Sequence, residues 1–566
     1  MDELATEAQS PVVILGAGVH GVAIARELLL QRVPVFLIDA NDIAYGATSK
    51  SSRLIHGGLR YLEYGDVSLV RESLLERERL LESASHFVRP LRLFIPVRES
   101  WSGLWRSAIG FVGLRRTSWG KTLEGPAVPR GYWPTRIGLS MYDWLSGSNS
   151  FPGSAAVELD DPGIPRVDRQ RYSGMLAYSD AQMLFPERFV LALLADAEDI
   201  ARNEGVSFTV KTHQSVTWND GALHLAASAT DAATVIKPAL IINATGAWGD
   251  RTLHALNIER EPLFGGTKGS HFLTWNAELK QALGQHAVYA EASDGRLVFI
   301  LPFGDGILVG TTDNSFTGSP ADVVATPEEL AYLRQSVHEV FGITLGDDDI
   351  VAHYCGVRPL PAQHTANTAI SRDHSLSWLN IDDTPILTLV GGKLTTWRSF
   401  AEEAVTTTLE RLQRHRLNAT VTRKVPGHDP LPAGLEPGPD LWQRWASELD
   451  STPDEIAALW PSYGTRVVAP LQETRGQPSR TITGTPFTTR IVRWIIEREH
   501  VVRLEDLVER RLMLAFAREL PRATIEELAD EMVATGRLSP GQREAEIEAC
   551  CQRLHRFYGR RGLVRG

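Results

Sequence analysis

The stretch VVILGAGVHGVAIARELLL, residues 12–30, decides the fold. It opens as a short apolar strand, passes Gly16, Gly18 and Gly21 in G-x-G-x-x-G spacing, and continues as an Ala-rich helix. Glycine is needed at these places for three reasons: the turn is tight, a pyrophosphate must approach the backbone, and helix and strand must pack closely. The helix start adds unpaired N–H groups and partial positive charge, both suited to phosphate. A second strand, PVFLID, ends at Asp39, eighteen residues after Gly21, where a carboxylate can accept the ribose hydroxyls of an adenosine. A glycine turn alone is weak evidence. With strand, helix and acid all in place, it reads as a Rossmann-like nucleotide-binding unit.

The remainder of the chain bounds what this unit belongs to. A length of 566 residues argues for two or more domains, and 43% hydrophobic with 22% charged residues is an ordinary globular balance. The net charge of -11 has the wrong sign for a protein that coats nucleic acid, so no nucleic-acid partner is expected. Cys355, Cys550 and Cys551 form neither a disulfide framework nor a zinc spacing; reduced thiols, a cytoplasmic compartment and no metal are expected. MDELATEAQS reads as a frayed leader without an export signal. No stretch reaches the roughly 18 apolar residues of a spanning helix, since His20, Arg26 and Glu27 interrupt the best candidate, so any membrane contact is expected to be peripheral.

From Pro11 to about Arg416, β-branched runs alternate with helical stretches, the pattern of a mixed α/β enzyme. Strands are expected at Val12–Leu15, Val35–Ile38, Leu240–Ile242, Leu297–Leu301, Ile307–Val309 and Ile386–Val390. VPGHDPLPAGLEPGPD, residues 425–440, is too rich in Pro and Gly for a helix or a central strand and reads as a linker. Beyond it, TRIVRWIIEREHVVRLEDLVERRLMLAF places apolar residues at helical spacing. The expected division is therefore 1–424, with discontinuous nucleotide and substrate subdomains, the linker 425–440, and a separate helical domain, 441–566.

Two later segments bear on the cofactor. ALIINATGAW is a buried strand running into Thr245 and Gly246. ILTLVGGKLTTWRSFAEEAV is a strand followed by Gly391, Gly392 and a helix expected to begin near Leu394. A second helix start facing a second anionic site suits the N1/O2 edge of a reduced flavin, and a cofactor touched at both ends of the sequence fits FAD better than NAD.

Between these segments lies ATSKSSRLIHGGLRYLEYGDVSLVRESLLERERLL, residues 47–81, which closely resembles the FAD-dependent glycerol-3-phosphate dehydrogenase family. The likeness continues through MYDWL at 141, NATGAW at 243, KGSH at 268, GTTD at 310, GVRPLPA at 356, SRDHSL at 371, GGKLTTW at 391 and the helical tail. It implies an α/β fold: a Rossmann-like FAD-binding domain, an interleaved mixed-sheet substrate domain and a C-terminal helical domain. It also implies oxidation of glycerol 3-phosphate to dihydroxyacetone phosphate, with hydride passing to the flavin and electrons to quinone.

By the same resemblance, the substrate phosphate is held by Arg60, Arg358, Arg372 and Lys393, with Tyr61 and Thr311 hydrogen-bonding the ligand. Guanidinium forks and an ammonium are also what a phosphate dianion requires. His271 falls beside the reacting carbon and is the first candidate for the base, with Arg358 as an alternative electrostatic role. FAD would be bound by Gly16, Gly18, Gly21, Asp39, Thr48, Ser49, Ser52, His56, Gly57, Gly58, Leu59, Thr245, Gly246, Gly391, Gly392, Lys393, Leu394 and Thr395. The expected partners are glycerol 3-phosphate, a quinone, a peripherally contacted membrane surface at the inner face of the cytoplasmic membrane, and a second copy of the chain.

The sequence departs from the family pattern twice. SDAQMLFPERF carries Phe185 and Pro186 where an acidic pair is usual, followed by Glu187. Residues 101–123 combine Trp101, Trp105, Phe111 and Trp119 with Arg106, Arg115, Arg116 and Lys121, a composition suited to a lipid headgroup boundary or to packing on another protein surface. Other readings stay open: an FAD oxidase, a dehydrogenase of another small alcohol, hydroxy acid or amine, an NAD-linked dehydrogenase, or a flavin-binding protein without turnover.

Overall fold

Val12–Leu15 is apolar at every position because both faces of its strand are covered. Val12 and Ile14 pack with the helices Val19–Leu30, Pro186–Glu204 and Trp397–Arg411, while Val13 and Leu15 pack with Trp218, Leu223 and Ile236 of a small antiparallel sheet. The strand lies inside a six-stranded sheet of order Ser375–Ile381, Thr384–Val390, Leu240–Asn243, Val12–Leu15, Val35–Ile38, Phe208–Lys211, parallel except at the first pair. The two front strands match their expected limits, and the other expected strands extend by one or two residues at one or both ends. The computed structural model describes residues 10–62, 66–98, 132–147, 150–226, 233–362, 374–432 and 435–564. The Trp- and Arg-rich segment 101–123 and Arg372 lie outside them.

Two of the charged residues in the first helix, and the glutamine that caps it, have partners. Arg26 Nε donates to Asp196 Oδ2 at 2.6 Å, Glu27 accepts from Arg416, and Gln31 Nε2 donates to the Asn418 carbonyl at 2.9 Å. Such groups are tolerated inside only when satisfied, and here the satisfaction ties the helix to its neighbours. Among the described residues no helix is long and apolar enough to cross a membrane.

The second layer is a ten-stranded mixed sheet. Its longest strand, Phe264–Thr274, lies between Gly306–Gly310 and Ala352–Pro361, with His271 opposite Gly310 and Tyr354, and Thr267 opposite Arg358. That register puts His271 and Arg358 on neighbouring strands although they are far apart in sequence.

The C-terminal part is helical from Pro439 onward. Residues 425–432 and 435–438 carry neither helix nor strand, and the Val425 N–H donates to the Ser83 carbonyl at 2.9 Å. Leu441, Ile456, Ile491 and Leu528 join Leu62, Leu69, Tyr142 and Tyr354 in one apolar cluster, so the helices share a core with the mixed sheet.

Two histidines mark this seam. A Cβ on Gly427 or Gly464, both in the left-handed region, would stand 2.9 or 2.8 Å from the His86 ring, and one on Gly559 would stand 2.3 Å from His353. Burial is the largest cause that lowers His86 to about 3 and His353 to about 4. Both are therefore neutral when folded, while the unfolded chain binds protons from about pH 6.5 downward. Their contribution is complete above that pH and is lost as pH falls toward the folded values. The urea midpoint is expected to be lower at pH 5 than at pH 7, and His86→Gln to reduce the difference; equal midpoints for the parent protein would contradict this.

Candidate active site

The front cradle depends on missing side chains. A Cβ on Gly16, where φ is +106°, would lie 2.6 Å from the Ala244 carbonyl oxygen, and one on Gly21 would lie 1.8 Å from that of Gly16. The bare Gly16 lets the turn pass the end of strand Leu240–Asn243, and the bare Gly21 lets helix Val19–Leu30 sit against that turn, which leaves its N-terminal N–H groups at the edge of a cavity of about 610 Å3. Thr48 Oγ1 accepts from the Val19 N–H at 3.2 Å. The Asp39 carboxylate accepts from the Ala17 N–H at 2.7 Å and the Asn41 N–H at 2.8 Å. Burial is the main cause raising its pKa, and those two N–H groups oppose it.

Along the cavity wall, Thr245 Oγ1 donates to Asn243 Oδ1 at 2.7 Å and Gly246 turns at φ +59°. Gly391 and Gly392 follow the strand Thr384–Val390 with φ +81° and +94°, and a Cβ on Gly392 would lie 2.6 Å from His20. The helix expected near Leu394 begins at Trp397. The reason is local: the glycine pair turns the chain out of right-handed space, and Lys393–Thr396 complete the turn. Thr395 Oγ1 accepts from the His56 N–H at 3.2 Å, joining this turn to the HGG segment.

At the same cavity, Arg358 is held by donating to Asp313 Oδ1 at 2.8 Å and to Thr311 Oγ1 at 3.1 Å. The Lys393 ammonium lies 4.0 Å from the Tyr61 ring centre and 3.3 Å from Ser73 Oγ. His271 stacks on Tyr354 with ring centres 4.8 Å apart, and its Nε2 is 2.8 Å from Ser52 Oγ. Burial first, then Arg358 and Arg53, hold His271 well below the usual imidazole value, so the ring is neutral at neutral pH.

Arg53, next in the chain, forms a buried two-pronged pair with Glu187 at 2.8 and 3.0 Å. This accounts for the departure in SDAQMLFPERF: Phe185 packs on Phe303, Pro186 opens the helix Pro186–Glu204, and Glu187 anchors the loop that carries Ser52. Pro suits a first helical turn, where the backbone N–H would have no partner.

Most of the expected site residues line this one cavity, among them Gly16, Gly18, Asp39, Thr48, Ser52, His56, Gly58, Leu59, Tyr61, Thr245, Gly246, His271, Thr311, Arg358 and Gly391–Thr395. Gly21, Ser49 and Gly57 do not. Gly21 is needed for helix packing, Ser49 Oγ donates to the Tyr45 carbonyl, and the Gly57 N–H donates to the Tyr142 hydroxyl at 2.8 Å. Arg60 belongs to the short helix Leu59–Leu62.

The structure adds Lys50, Tyr178, Arg251, Tyr289, Arg296 and Asp313 to the wall. Asp313 was readable, since it closes the GTTD motif. The others depended on strand register and loop path, which a single sequence does not display.

Comparison with known proteins follows this geometry. The FAD dependent oxidoreductase family matches residues 11–396, and the C-terminal domain of alpha-glycerophosphate oxidase matches residues 419–543. A glycerol-3-phosphate dehydrogenase of Synechocystis sp. is 31% identical, covering 89% of this chain and 88% of its own. A D-erythritol 1-phosphate dehydrogenase of Brucella abortus is 30% identical, covering 88% and 93%. The crystal structure of a glycerol-3-phosphate dehydrogenase from Bacillus halodurans complexed with FAD has the same fold, with a TM-score of 0.71 at 19% identity over 97% of this chain and 95% of that one.

The cradle fits FAD: it offers hydrogen-sized gaps at two glycines, an acid at the ribose position, and a second glycine turn lining the same cavity. Gly21→Ala is expected to give protein that is purified without yellow cofactor, because the new methyl drives the helix off its strand. Gly541→Ala, where nothing lies within 4 Å, is the control. Full flavin content in Gly21→Ala would refute this account of the cradle.

Proposed function

Since the chain belongs to the FAD-dependent glycerol-3-phosphate dehydrogenase family, we propose that it oxidises glycerol 3-phosphate to dihydroxyacetone phosphate and delivers the electrons to quinone at a membrane surface. The observation that carries this reading is one cavity lined both by a nucleotide cradle and by Arg358, Lys393 and His271. Bound FAD supplies the two-electron acceptor. The residues named in the cradle hold it, and the protein contributes orientation and charge.

In this reading Arg358 and Lys393 grip the phosphate, with Arg60 and Arg372 as further ligands, and Tyr61 and Thr311 orient the hydroxyl groups. Asp313 fixes the Arg358 fork before substrate arrives, so little ordering is required on binding. As the secondary hydroxyl becomes a carbonyl, its proton leaves toward the neutral His271–Ser52 pair. Arg358 opposes an imidazolium next to it, which favours onward release of that proton, and stabilises negative charge on the substrate oxygen. Remote phosphate binding holds a small substrate in a reactive pose, so its loss lowers turnover as well as affinity.

A second reading, a polyol phosphate one carbon longer, is favoured by the Brucella abortus relative. Anaerobic titration tests both. Glycerol 3-phosphate is expected to bleach the flavin while glycerol, lactate and amino acids do not; faster bleaching by erythritol 1-phosphate would replace the first substrate with the second. Bleaching by glycerol as fast as by its phosphate would sink the phosphate-gripping site. Arg358→Met is expected to lower kcat/KM roughly a hundredfold, corresponding to about 2.7 kcal/mol of charge-assisted hydrogen bonding. Rapid peroxide release in air, in place of quinone reduction, would make the protein an oxidase.

The membrane part of the reading is supported by an apolar stripe. Trp133, Ile137 and Trp144 recur on one side of helix Tyr132–Ser146 with exposures of 42, 54 and 77%, and Leu75 is half exposed on the adjacent helix Val67–Ser83. Rings of this kind suit the headgroup boundary. The stripe begins ten residues after the Trp- and Arg-rich residues 101–123. Trp144→Ser with Ile137→Ser is expected to weaken flotation with anionic liposomes while dye-linked activity persists; undiminished flotation would remove the stripe from this role.

A further inference from the structure

One lysine in the cavity wall has no part in the steps above. Lys50 stands in the loop between Thr48, at the start of the first helix, and Ser52, against His271. Its ammonium donates to the Tyr558 hydroxyl at 2.6 Å and lies 4.1 Å from that ring's centre. The same hydroxyl donates to Glu509 Oε2 at 2.9 Å. A hydroxyl has a single proton, so giving it to Glu509 leaves the oxygen's lone pairs for Lys50, and the three groups form a directed chain. Tyr558 ends the helix Arg543–Tyr558, and Glu509 belongs to the π-helical turn Leu507–Arg511. π-helical turns are rare and recur at functional sites.

The array is rigid at its far end. Glu509 accepts from Arg510 Nη1 at 2.7 Å and Arg553 Nε at 2.5 Å. Arg510 and Arg511 also donate to Asp42 at 2.5 Å each, three residues beyond Asp39. Asp506, just before the turn, accepts from Arg510 Nη2 at 3.0 Å and lies 3.0 Å from His213 Nε2. The carboxylates of Asp42 and Asp506 are thus paired with arginines, and the turn is clamped onto the loops beside Asp39. Burial lowers the Lys50 ammonium to about 7; Glu509 and Glu187 favour its charge while Arg553 and Arg510 oppose it. A cation balanced in this way responds strongly to new charge in the cavity.

A hydride equivalent, two electrons with one proton, makes a bound flavin one negative charge richer. We propose that Lys50 is the cation that meets this charge, and that Tyr558 and Glu509 are positioning residues through which the C-terminal helices set the flavin's reduction potential. The proposal rests on FAD as the bound cofactor and not on which alcohol is oxidised, so its test needs no substrate.

The measurement is the midpoint potential of the FAD-loaded protein by dye-equilibrated reductive titration. Lys50→Met is expected to lower the equilibrium constant for two-electron reduction at least tenfold, about 30 mV. Lys50→Arg, which keeps the charge, is expected to stay within threefold of the parent. Tyr558→Phe is expected to lower the constant at least threefold in the parent and to leave it unchanged in the Lys50→Met background, since neither acts without the other. A Lys50→Met constant within twofold of the parent, a Lys50→Arg loss as large as that of Lys50→Met, or a Tyr558→Phe effect undiminished without Lys50 would each overturn the proposal. Should Lys50→Met fail to fold, a Lys50→Arg constant lowered tenfold or more, or a Tyr558→Phe constant within twofold of the parent, would overturn the proposal.

Discussion

Helix Val19–Leu30 lies against the end of the strand in front of it with no room for a side chain between them. A Cβ on Gly21 would sit 1.8 Å from the Gly16 carbonyl oxygen, so the helix reaches its place only because that side chain is absent. Its N–H groups then face the cavity, the adjoining strands align their carboxyl ends beside it, and Asp39 and Thr245 arrive at the same edge. The cofactor end is therefore a consequence of backbone packing, with few side chains needed to build it.

The substrate end is built differently, from charges brought together across the mixed sheet. Buried charge is tolerated where a partner is present, as for Arg53 with Glu187 and Arg77 with Asp180, and the part-exposed Arg358 is paired in the same way with Asp313. These pairs hold guanidinium groups and loops in fixed positions before a ligand binds. Lys393 is held against the Tyr61 ring and the Ser73 hydroxyl.

The C-terminal helices are more than an appendage to these two ends. They share an apolar core with the mixed sheet, close over His86 and His353 at the seam, and send a π-helical turn of charged residues to the nucleotide loops. Contacts of this kind tie the helical domain to the loops of the nucleotide cradle.

The glycine spacing, the strand lengths, Asp39 and the cationic motifs were readable because each depends on local geometry or on a recurring run of residue types. The first two strands matched to the residue, and Arg358, Lys393 and His271 do line one cavity with the glycine cradle. The last helix of the nucleotide fold starts at Trp397, later than expected, because the two left-handed glycines before it delay it, and Ser49 turns from the cavity to a backbone carbonyl. Lys50 was visible as a letter in ATSKSSR, yet its significance comes from Tyr558, 508 residues away. Sequence alone determined the nucleotide fold, because its rules act over a few residues along the backbone. Tertiary structure decided which charges meet, because electrostatic pairing and strand register depend on distance through space and not on separation along the chain.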